Sequence, residues 1–212
     1  MTIVRPEILE ALAASDVLIL NNNTKLEAVK FHYAVAASIV AKHSQIHQVV
    51  FEKCNLIETD LEATTCSDAV IKASDFSAVR ISSSKISRLD EVNNRTQGIN
   101  FSDSKLTDMT FDGCNLNLAK FRICKLRRIK CTHCFLIEVD FAGSELCELI
   151  FEDYELDKVN FYQVKVKSVD LSSSRMSRLG GWQSLKGTTI DPLQLLSVAD
   201  ELAGELGLKV KR

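Results

Sequence analysis

The residues that most resemble a chemical site are Cys131 and Cys134, which enclose a threonine and a histidine. Cysteine and histidine side chains at close spacing are typical ligands of structural zinc. Cys124 and Cys147 lie near enough along the chain to complete a set of four ligands. The alternative is that these cysteines serve as small apolar residues of a core. The choice between the two interpretations depends on the elements that carry the cysteines.

No pattern typical of a catalytic centre accompanies this segment. Three of the four histidines lie near the amino end, and none has a nucleophile at a spacing that indicates a catalytic pair. Gly180 and Gly181 lead into Trp182 and resemble the end of a repeat rather than a phosphate-binding loop. We therefore predict that the protein is not an enzyme, has no catalytic residues and binds no cofactor.

The element that positions these residues is a repeat of five. Every fifth residue from Phe51 to Met176 is apolar, apart from Glu91 and Thr96. The residue two positions earlier is mostly small or β-branched, as at Cys54. Neither the helical period of about 3.6 nor the strand period of about 2 keeps such a register over this length. A chain that turns two side chains inward in every five closes around its own core.

The same register decides between the interpretations of the cysteines. All of them except Cys147 fall on one of the two inward positions. Inward residues on different walls of a closed coil do not converge easily on one ion. We therefore predict buried thiols that replace hydrophobic residues, and no metal site.

The repeat resembles the A(D/N)LXX motif of pentapeptide-repeat proteins, from about residue 24 to residue 179. The segments that carry it most clearly are Cys54-Asn55-Leu56, Ser104-Lys105-Leu106 and Cys114-Asn115-Leu116. The resemblance implies an all-β fold, a right-handed quadrilateral β-helix with four repeats in each coil. Coils about 4.8 Å apart predict roughly eight coils and a rod about 38 Å long. We assign residues 17–184 to this rod.

The repeat weakens at residues 88–98, where the sequence is polar and contains turn-forming residues. We predict a loop extruded from the wall. The alternative is two degenerate repeats that stay in the wall. The residues that the loop would expose are Asp90, Glu91, Asn93, Asn94 and Arg95.

Both ends of the chain differ from the repeat. Residues 1–16 are predicted to form a short amino-terminal helix that caps the rod, since Pro6 precedes a run of helix-forming residues. Residues 31–45 fit either a helix or the first coils.

In residues 185–212, Asp191 and Gln194 form a capping-box pattern around Pro192, and Gly207 is placed to end the helix. This carboxyl-terminal α-helix either caps the rod or also forms a homodimer. The dimer contact would use Leu195, Leu196, Ala199, Leu202 and Leu206.

Composition sets the broad class. The net charge is −2, and 46% of the 212 residues are hydrophobic, so we expect a packed core and no direct nucleic-acid binding. No apolar run reaches the length of about 18 residues that a membrane span needs. Seven cysteines, an odd number, without a secretory signal favour a cytoplasmic protein.

Charge is distributed unevenly along the repeats. Residues 131–157 contain eight acidic residues and no lysine or arginine, whereas the preceding coil is basic. This band either imitates the phosphate backbone of DNA or is a solvated surface that adjacent coils neutralise. The acidic residues predicted to bind a partner are Glu138, Asp140, Glu145, Glu148, Glu152, Asp153 and Glu155.

A β-helix with an extruded loop and a terminal helix resembles the Qnr-type quinolone-resistance proteins, and residues 185–210 are similar to their common ending. The resemblance implies a DNA mimic that binds DNA gyrase or topoisomerase IV, a dimer formed by the terminal helix, and quinolone resistance. We therefore predict a type II topoisomerase as the partner. The alternative is a non-catalytic scaffold or protein-interaction module.

Overall fold

The computed structural model describes residues 1–210, and most of them belong to a solenoid whose coils are joined by parallel strands. Two short helices, α1 (Pro192–Ser197) and α2 (Ala199–Glu205), follow a 3₁₀ helix over Trp182–Leu185. The predicted all-β solenoid of about eight turns is confirmed. The strands are β1 (Ala13–Ser15), β2 (Lys25–His32), β3 (Gln45–Glu52), β4 (Thr65–Lys72), β5 (Lys85–Val92), β6 (Lys105–Asp112), β7 (Lys125–Thr132), β8 (Phe135–Ile137), β9 (Glu145–Glu152), β10 (Glu155–Asp157), β11 (Lys165–Asp170) and β12 (Arg175–Ser177).

The strands form two sheets whose neighbours are one coil apart. The larger sheet has nine strands in the order β1-β2-β3-β4-β5-β6-β7-β9-β11, and the smaller has the order β12-β10-β8. Lys85 pairs with Lys105 and Lys105 with Lys125, so each coil takes 20 residues. Because the register is constant, a residue is stacked on the residues 20 positions before and after it.

The corners of the coil explain the five-residue repeat. From Asn23 to Arg178, nearly every fifth residue has a positive φ, and most of these residues are not glycine. Each such residue forms a corner at which the chain turns from one side of a square to the next, so four repeats close one coil. Left-handed conformations cost L-residues about 1–2 kcal/mol. They persist here because the hydrogen bonds between coils hold the backbone on both sides of every corner.

The core fills the axis of the coil. The rings of Phe101, Phe121, Phe141 and Phe161 stack face to face, with centroids 5.2, 5.1 and 5.3 Å apart. All four are buried. Identical rings at the same position of successive coils bury large apolar surfaces and gain stacking interactions.

The predicted loop at residues 88–98 is wrong, because this segment is part of the wall. Residues 85–92 form β5, and Asn93 and Gly98 occupy the next two corners, with φ of 54° and 70°. Gly98 N–H donates to the Asn117 carbonyl at 2.8 Å, and Arg95 N–H donates to the Ser74 carbonyl at 3.0 Å. Two degenerate repeats therefore continue the coil without interruption.

The buried polar residues of this segment are tolerated in the wall because each has a hydrogen-bond partner. Asn94 is buried, donates its side-chain amide to the Ile71 carbonyl at 3.0 Å and accepts from Ser74 N–H at 3.0 Å. Glu91 is also buried, on the inward side of the wall. Asn93 and Arg95 point outward and are exposed.

The predicted amino-terminal helix is also wrong, because residues 1–12 form an extended arm across several coils. Val4 N–H donates to an Asp108 carboxylate oxygen at 3.1 Å, and Glu7 N–H donates to Asp68 at 3.0 Å. A helix of this length is marginal in water. Carboxylate acceptors on the wall satisfy the backbone donors instead, and the chain then enters β1. Residues 31–45, which fitted a helix or coils, form coils with corners at Tyr33, Ser38 and His43.

The carboxyl-terminal helix forms as two short helices that break at Val198. Asp191 and Gln194 make both bonds of the capping box, and Pro192 begins α1. Gly207 adopts a φ of 72° just after the helical segment, and Leu208 N–H donates to the Ala203 carbonyl at 2.8 Å. Of the predicted segment 185–212, residues 211 and 212 lie outside the described residues.

Candidate interaction surface

The predicted acidic band lies on the outside of the wall, but its charges are largely paired. Six of the seven acids predicted to bind a partner have a carboxylate oxygen within 4 Å of a basic nitrogen on a neighbouring coil. These pairs are Glu138–Lys158 (2.8 Å), Asp140–Arg122 (3.5 Å), Glu145–Lys165 (3.7 Å), Glu152–Lys130 (2.7 Å), Asp153–His133 (3.8 Å) and Glu155–Arg175 (3.9 Å). Hydrogen bonding to Asp112 raises the pKa of His133. The solenoid therefore places acids against the cations that flank them in space, not in sequence.

Glu148, the seventh acid, continues a column of alternating charge. Arg88 donates to both carboxylate oxygens of Asp68, and Arg128 donates to both oxygens of Asp108 at 2.5 and 2.6 Å. These hydrogen bonds hold the pKa of Asp68 and of Asp108 below the ordinary value of an aspartate. Glu148 follows Arg128 at the next corner of the same column.

The amino-terminal arm covers part of this column. Besides Val4 and Glu7, Arg5 contacts Asp90 at 2.8 Å and Thr110 at 3.0 Å. Asp90, predicted as a loop residue, is thus a wall residue that holds the arm. The arm and the column join four successive coils on one side of the solenoid.

The cysteines form no metal site in the part of the chain that the structure describes. No group of three or more His, Cys, Asp and Glu side chains there has a metal-binding arrangement. Cys131 and Cys134 are both buried in the core. Burial raises the pKa of Cys66 and of Cys124 to about 12, so these thiols stay protonated at neutral pH and are poor ligands and nucleophiles.

The carboxyl end presents a group of strongly exposed leucine side chains. Gln194 and Val198 are buried against the last coil, and Leu202 packs on the core. The remaining leucines of the segment face outward, including Leu193 (78% exposed), Leu196 (74%) and Leu206 (72%). Of the predicted dimer residues, Leu202 belongs to the packed face, whereas Leu195, Leu196, Ala199 and Leu206 are exposed.

A column of lysines was missed by the sequence interpretation. Lys85, Lys105 and Lys125 begin three neighbouring strands in direct register, and all three are exposed. Within residues 1–210 none of them has an ion pair or a side-chain hydrogen bond. Reading the outward positions at a step of 20 residues would have revealed this column, since the register was already known.

A sequence model of the family described as the pentapeptide repeat region matches residues 44–121. The chain therefore contains a pentapeptide-repeat region, and the predicted resemblance to pentapeptide-repeat proteins is confirmed. The structure continues the same coil on both sides of the matched residues. No curated protein sequence matches the chain.

Two solved proteins illustrate the structural similarity. One is HetL, a pentapeptide repeat protein involved in heterocyst differentiation regulation from the cyanobacterium Nostoc sp. strain PCC 7120, at 14% identity and a TM-score of 0.43, covering 80% of this chain and 90% of its own. The other is full-length QnrB1, a plasmid-mediated fluoroquinolone resistance protein, at 15% identity and a TM-score of 0.45, covering 91% of this chain and 98% of its own. At these identities and TM-scores neither structure bears on the function of this chain.

No helix within residues 1–210 is both long enough and apolar enough to cross a membrane.

Proposed function

We propose that this protein is a non-catalytic scaffold that binds a partner protein on the walls of its solenoid, in a reducing compartment such as the cytoplasm. The observation that carries the proposal is the rigidity of the wall: hydrogen bonds between coils fix the outward residues along the whole solenoid. A surface that is ordered before binding loses little conformational entropy when a partner docks. Cytoplasmic placement is supported by seven unpaired cysteines.

Photo-crosslinking in the source cell tests this function. A photoreactive residue is placed at one outward position on each of the four walls of a single coil, replacing Thr107, Asp112, Asn117 or Lys120. The scaffold function predicts that one distinct protein is captured from one wall or from two adjacent walls. It also predicts capture of the same protein from the equivalent wall one coil further on. Crosslinks confined to copies of this chain, or an equal scatter of proteins from all four walls, would overturn the scaffold function.

A DNA mimic that binds DNA gyrase or topoisomerase IV is the second candidate function. The outward position of all seven predicted acids favours it, because a rod with repeated carboxylates resembles a line of phosphates. The pairing of six of them with cations counts against it, since paired charges leave a weak field. Residues 90–98 are wall residues, so their deletion would break the coil rather than remove a loop.

The supercoiling activity of DNA gyrase, measured with and without ciprofloxacin, distinguishes this candidate. A DNA mimic would inhibit supercoiling or protect the enzyme from the drug, and reversal of charge at Glu148 and Glu152 would abolish the effect. The effect would also fall steeply with salt. No effect of the wild-type protein at low salt, or an unchanged effect after charge reversal, removes the topoisomerase as a partner.

A homodimer through the carboxyl-terminal segment is part of the proposed assembly. The exposed side chains of Leu193, Leu196 and Leu206 support it, because several large apolar residues clustered at one end mark an association surface. An isologous contact would place the same leucines of two copies against one another.

A further inference from the structure

The positive charge of the wall is concentrated where no acid neutralises it. Lys85, Lys105 and Lys125 stand on successive coils, so their Cα atoms span about 10 Å along the axis. Arg127, two residues beyond Lys125, is exposed as well. None of these four side chains has an ion pair among the described residues. We call these four residues the basic ridge.

The basic ridge contrasts with the adjacent column of charged residues at the corner of the same wall. At the adjacent corner, Arg88 forms an ion pair with Asp68, and Arg128 forms one with Asp108. Stacked like charges repel one another, and the coil register prevents their backbones from moving apart. An anionic partner would relieve this repulsion without any change in the solenoid.

The surroundings supply hydrogen-bond donors for an oxyanion. Ser87 lies two residues after Lys85, and Thr107 lies two residues after Lys105. Both hydroxyl groups are on the outward side and half-buried, and neither has a hydrogen-bond partner in the described structure. Lysine ammonium groups and hydroxyl groups both donate hydrogen bonds, and a carboxylate can accept from both. Asp103, at the corner before Lys105, is the neighbouring carboxylate that an anionic ligand must avoid.

The ends of the basic ridge limit the length of its ligand. Thr65 precedes Lys85 in the column, and Glu145 follows Lys125 and contacts Lys165. A long polyanion such as a duplex, lying along the axis, would continue over Glu145 and Glu148. Carboxylates on one side of an extended peptide recur about every 6.8 Å, so the three same-side carboxylates of a five-residue segment span about 14 Å and cover the three lysines.

We infer that the basic ridge binds a short, extended, acidic segment of a partner protein. The inference rests on the proposed scaffold function and names the chemistry of its partner. The acidic side chains of the segment lie against Lys85, Lys105 and Lys125, and Arg127 holds one end. Such a contact contributes mainly to recognition and to the rate of association, and it weakens with salt.

Titration of the full-length protein with a fluorescein-labelled peptide of about six glutamates tests this inference. Anisotropy should show saturable binding at about 0.02 M salt and a loss of about tenfold in affinity at about 0.2 M salt. The variant K85Q/K105Q/K125Q should weaken binding about tenfold or more. The control K72Q/K186Q/K209Q removes equal charge from exposed lysines elsewhere and should leave the affinity within about twofold. Thermal unfolding of both variants checks that they stay folded.

Three results would overturn the inference. The first is the absence of peptide binding at low salt. The second is an equal loss of affinity in the control variant. The third is tighter binding of a mixed-sequence DNA duplex of about 20 base pairs than of the peptide, which would identify the ridge as a phosphate-binding surface. If the inference fails while crosslinks to one partner persist on another wall, the scaffold function stands.

Discussion

Glu91 faces the axis of the solenoid between Ile71 and Phe111. The equivalent position is apolar in the other coils. Burial raises its pKa from 4.5 to about 8, although Asn94 donates a long hydrogen bond to it at 3.4 Å. The carboxyl group is therefore protonated at neutral pH. The side chain of Glu91 is held by one long hydrogen bond, whereas the phenylalanine at this position of the next coil fills the core with apolar surface.

The first prediction concerns the pH dependence of stability. Because the pKa of Glu91 is raised on folding, its contribution is fully present below pH 4.5 and is lost as the pH rises to about 8. Urea unfolding of the wild-type protein should show this decline. The variant Glu91→Gln should lose that component, because it has no proton to release. If the variant and the wild-type protein show the same slope between these pH values, Glu91 is not buried as described.

The second prediction concerns the same position. Glu91→Leu should raise the free energy of unfolding by about 1–3 kcal/mol at neutral pH, since it removes a buried polar group. Asn94 keeps its bond to the Ile71 carbonyl in this variant. The matched control is Glu138→Leu, an exposed acid, which should change stability little. A destabilised Glu91→Leu would contradict the packing of this coil.

Ile123 supplies the third prediction at this scale. Its φ is 57° and its side chain is 62% exposed. The left-handed conformation therefore destabilises the fold, and burial of the side chain offsets little of that strain. Isoleucine is a β-branched residue and disfavours this region, whereas asparagine tolerates it. Ile123→Asn should therefore raise the free energy of unfolding by about 1 kcal/mol. The control Ile137→Asn, at a position without positive φ, should be neutral or destabilising.

At the scale of elements, the carboxyl-terminal helices replace the coil that would come next. The two carboxylate oxygens of Glu201, in α2, accept hydrogen bonds from Arg178 N–H at 2.6 Å and Leu179 N–H at 3.1 Å. The side-chain amide of Gln194 donates to the carbonyls of Leu171 and Ser174, both at 2.6 Å. Backbone groups at the open end of a solenoid would otherwise lack partners.

The fourth prediction follows from this cap. Glu201→Gln should destabilise the end of the solenoid by about 1–2 kcal/mol, because charge-assisted bonds to two backbone donors are weakened. Glu205→Gln is the control, since its side chain makes no bond to the last coil. Hydrogen exchange of residues 175–180 should accelerate in the first variant and stay unchanged in the second. Equal exchange in both variants would show that Glu201 is not part of the cap.

The sequence predicted the coils and the capping box because both depend on local patterns. The five-residue register reports inward positions, and Asp191 and Gln194 are three residues apart. The wall at residues 88–98 and the extended arm at residues 1–12 depend on distant partners. Asn94 is satisfied by Ile71 and Ser74, and Glu7 is held by Asp68. A reading of local composition treats such residues as loop or helix formers.

Charge pairing is also a property of the coil rather than of the sequence segment. Residues 131–157 are acidic as a stretch, but the cations Arg122, Lys130 and Lys165 lie one coil away in sequence and within 4 Å in space. The 20-residue register needed to find these pairs was available from the sequence. The side-chain positions were needed to identify the wall on which charges remain unpaired.

At the scale of the whole molecule, the exposed leucines at the carboxyl end predict a dimer. Light scattering at micromolar concentration should return about twice the chain mass of 23.6 kDa. Leu196→Asp combined with Leu206→Asp should return the monomer while leaving the solenoid folded, because neither side chain packs on the core. Val40→Asp, an exposed wall position, is the control and should remain dimeric. A wild-type monomer would contradict the proposed contact.

The proposed scaffold requires a wall that continues without interruption from the first coil to the last. Native-state hydrogen exchange of residues 88–98 measures this directly. The amide protons of Arg95 and Gly98 donate to carbonyls of adjacent coils, so they should be protected as strongly as the equivalent amides of Asn115 and Leu118 one coil further on. Exchange of residues 88–98 at the rate of a free loop, with protection retained on both sides, would contradict the continuous wall and the scaffold built on it.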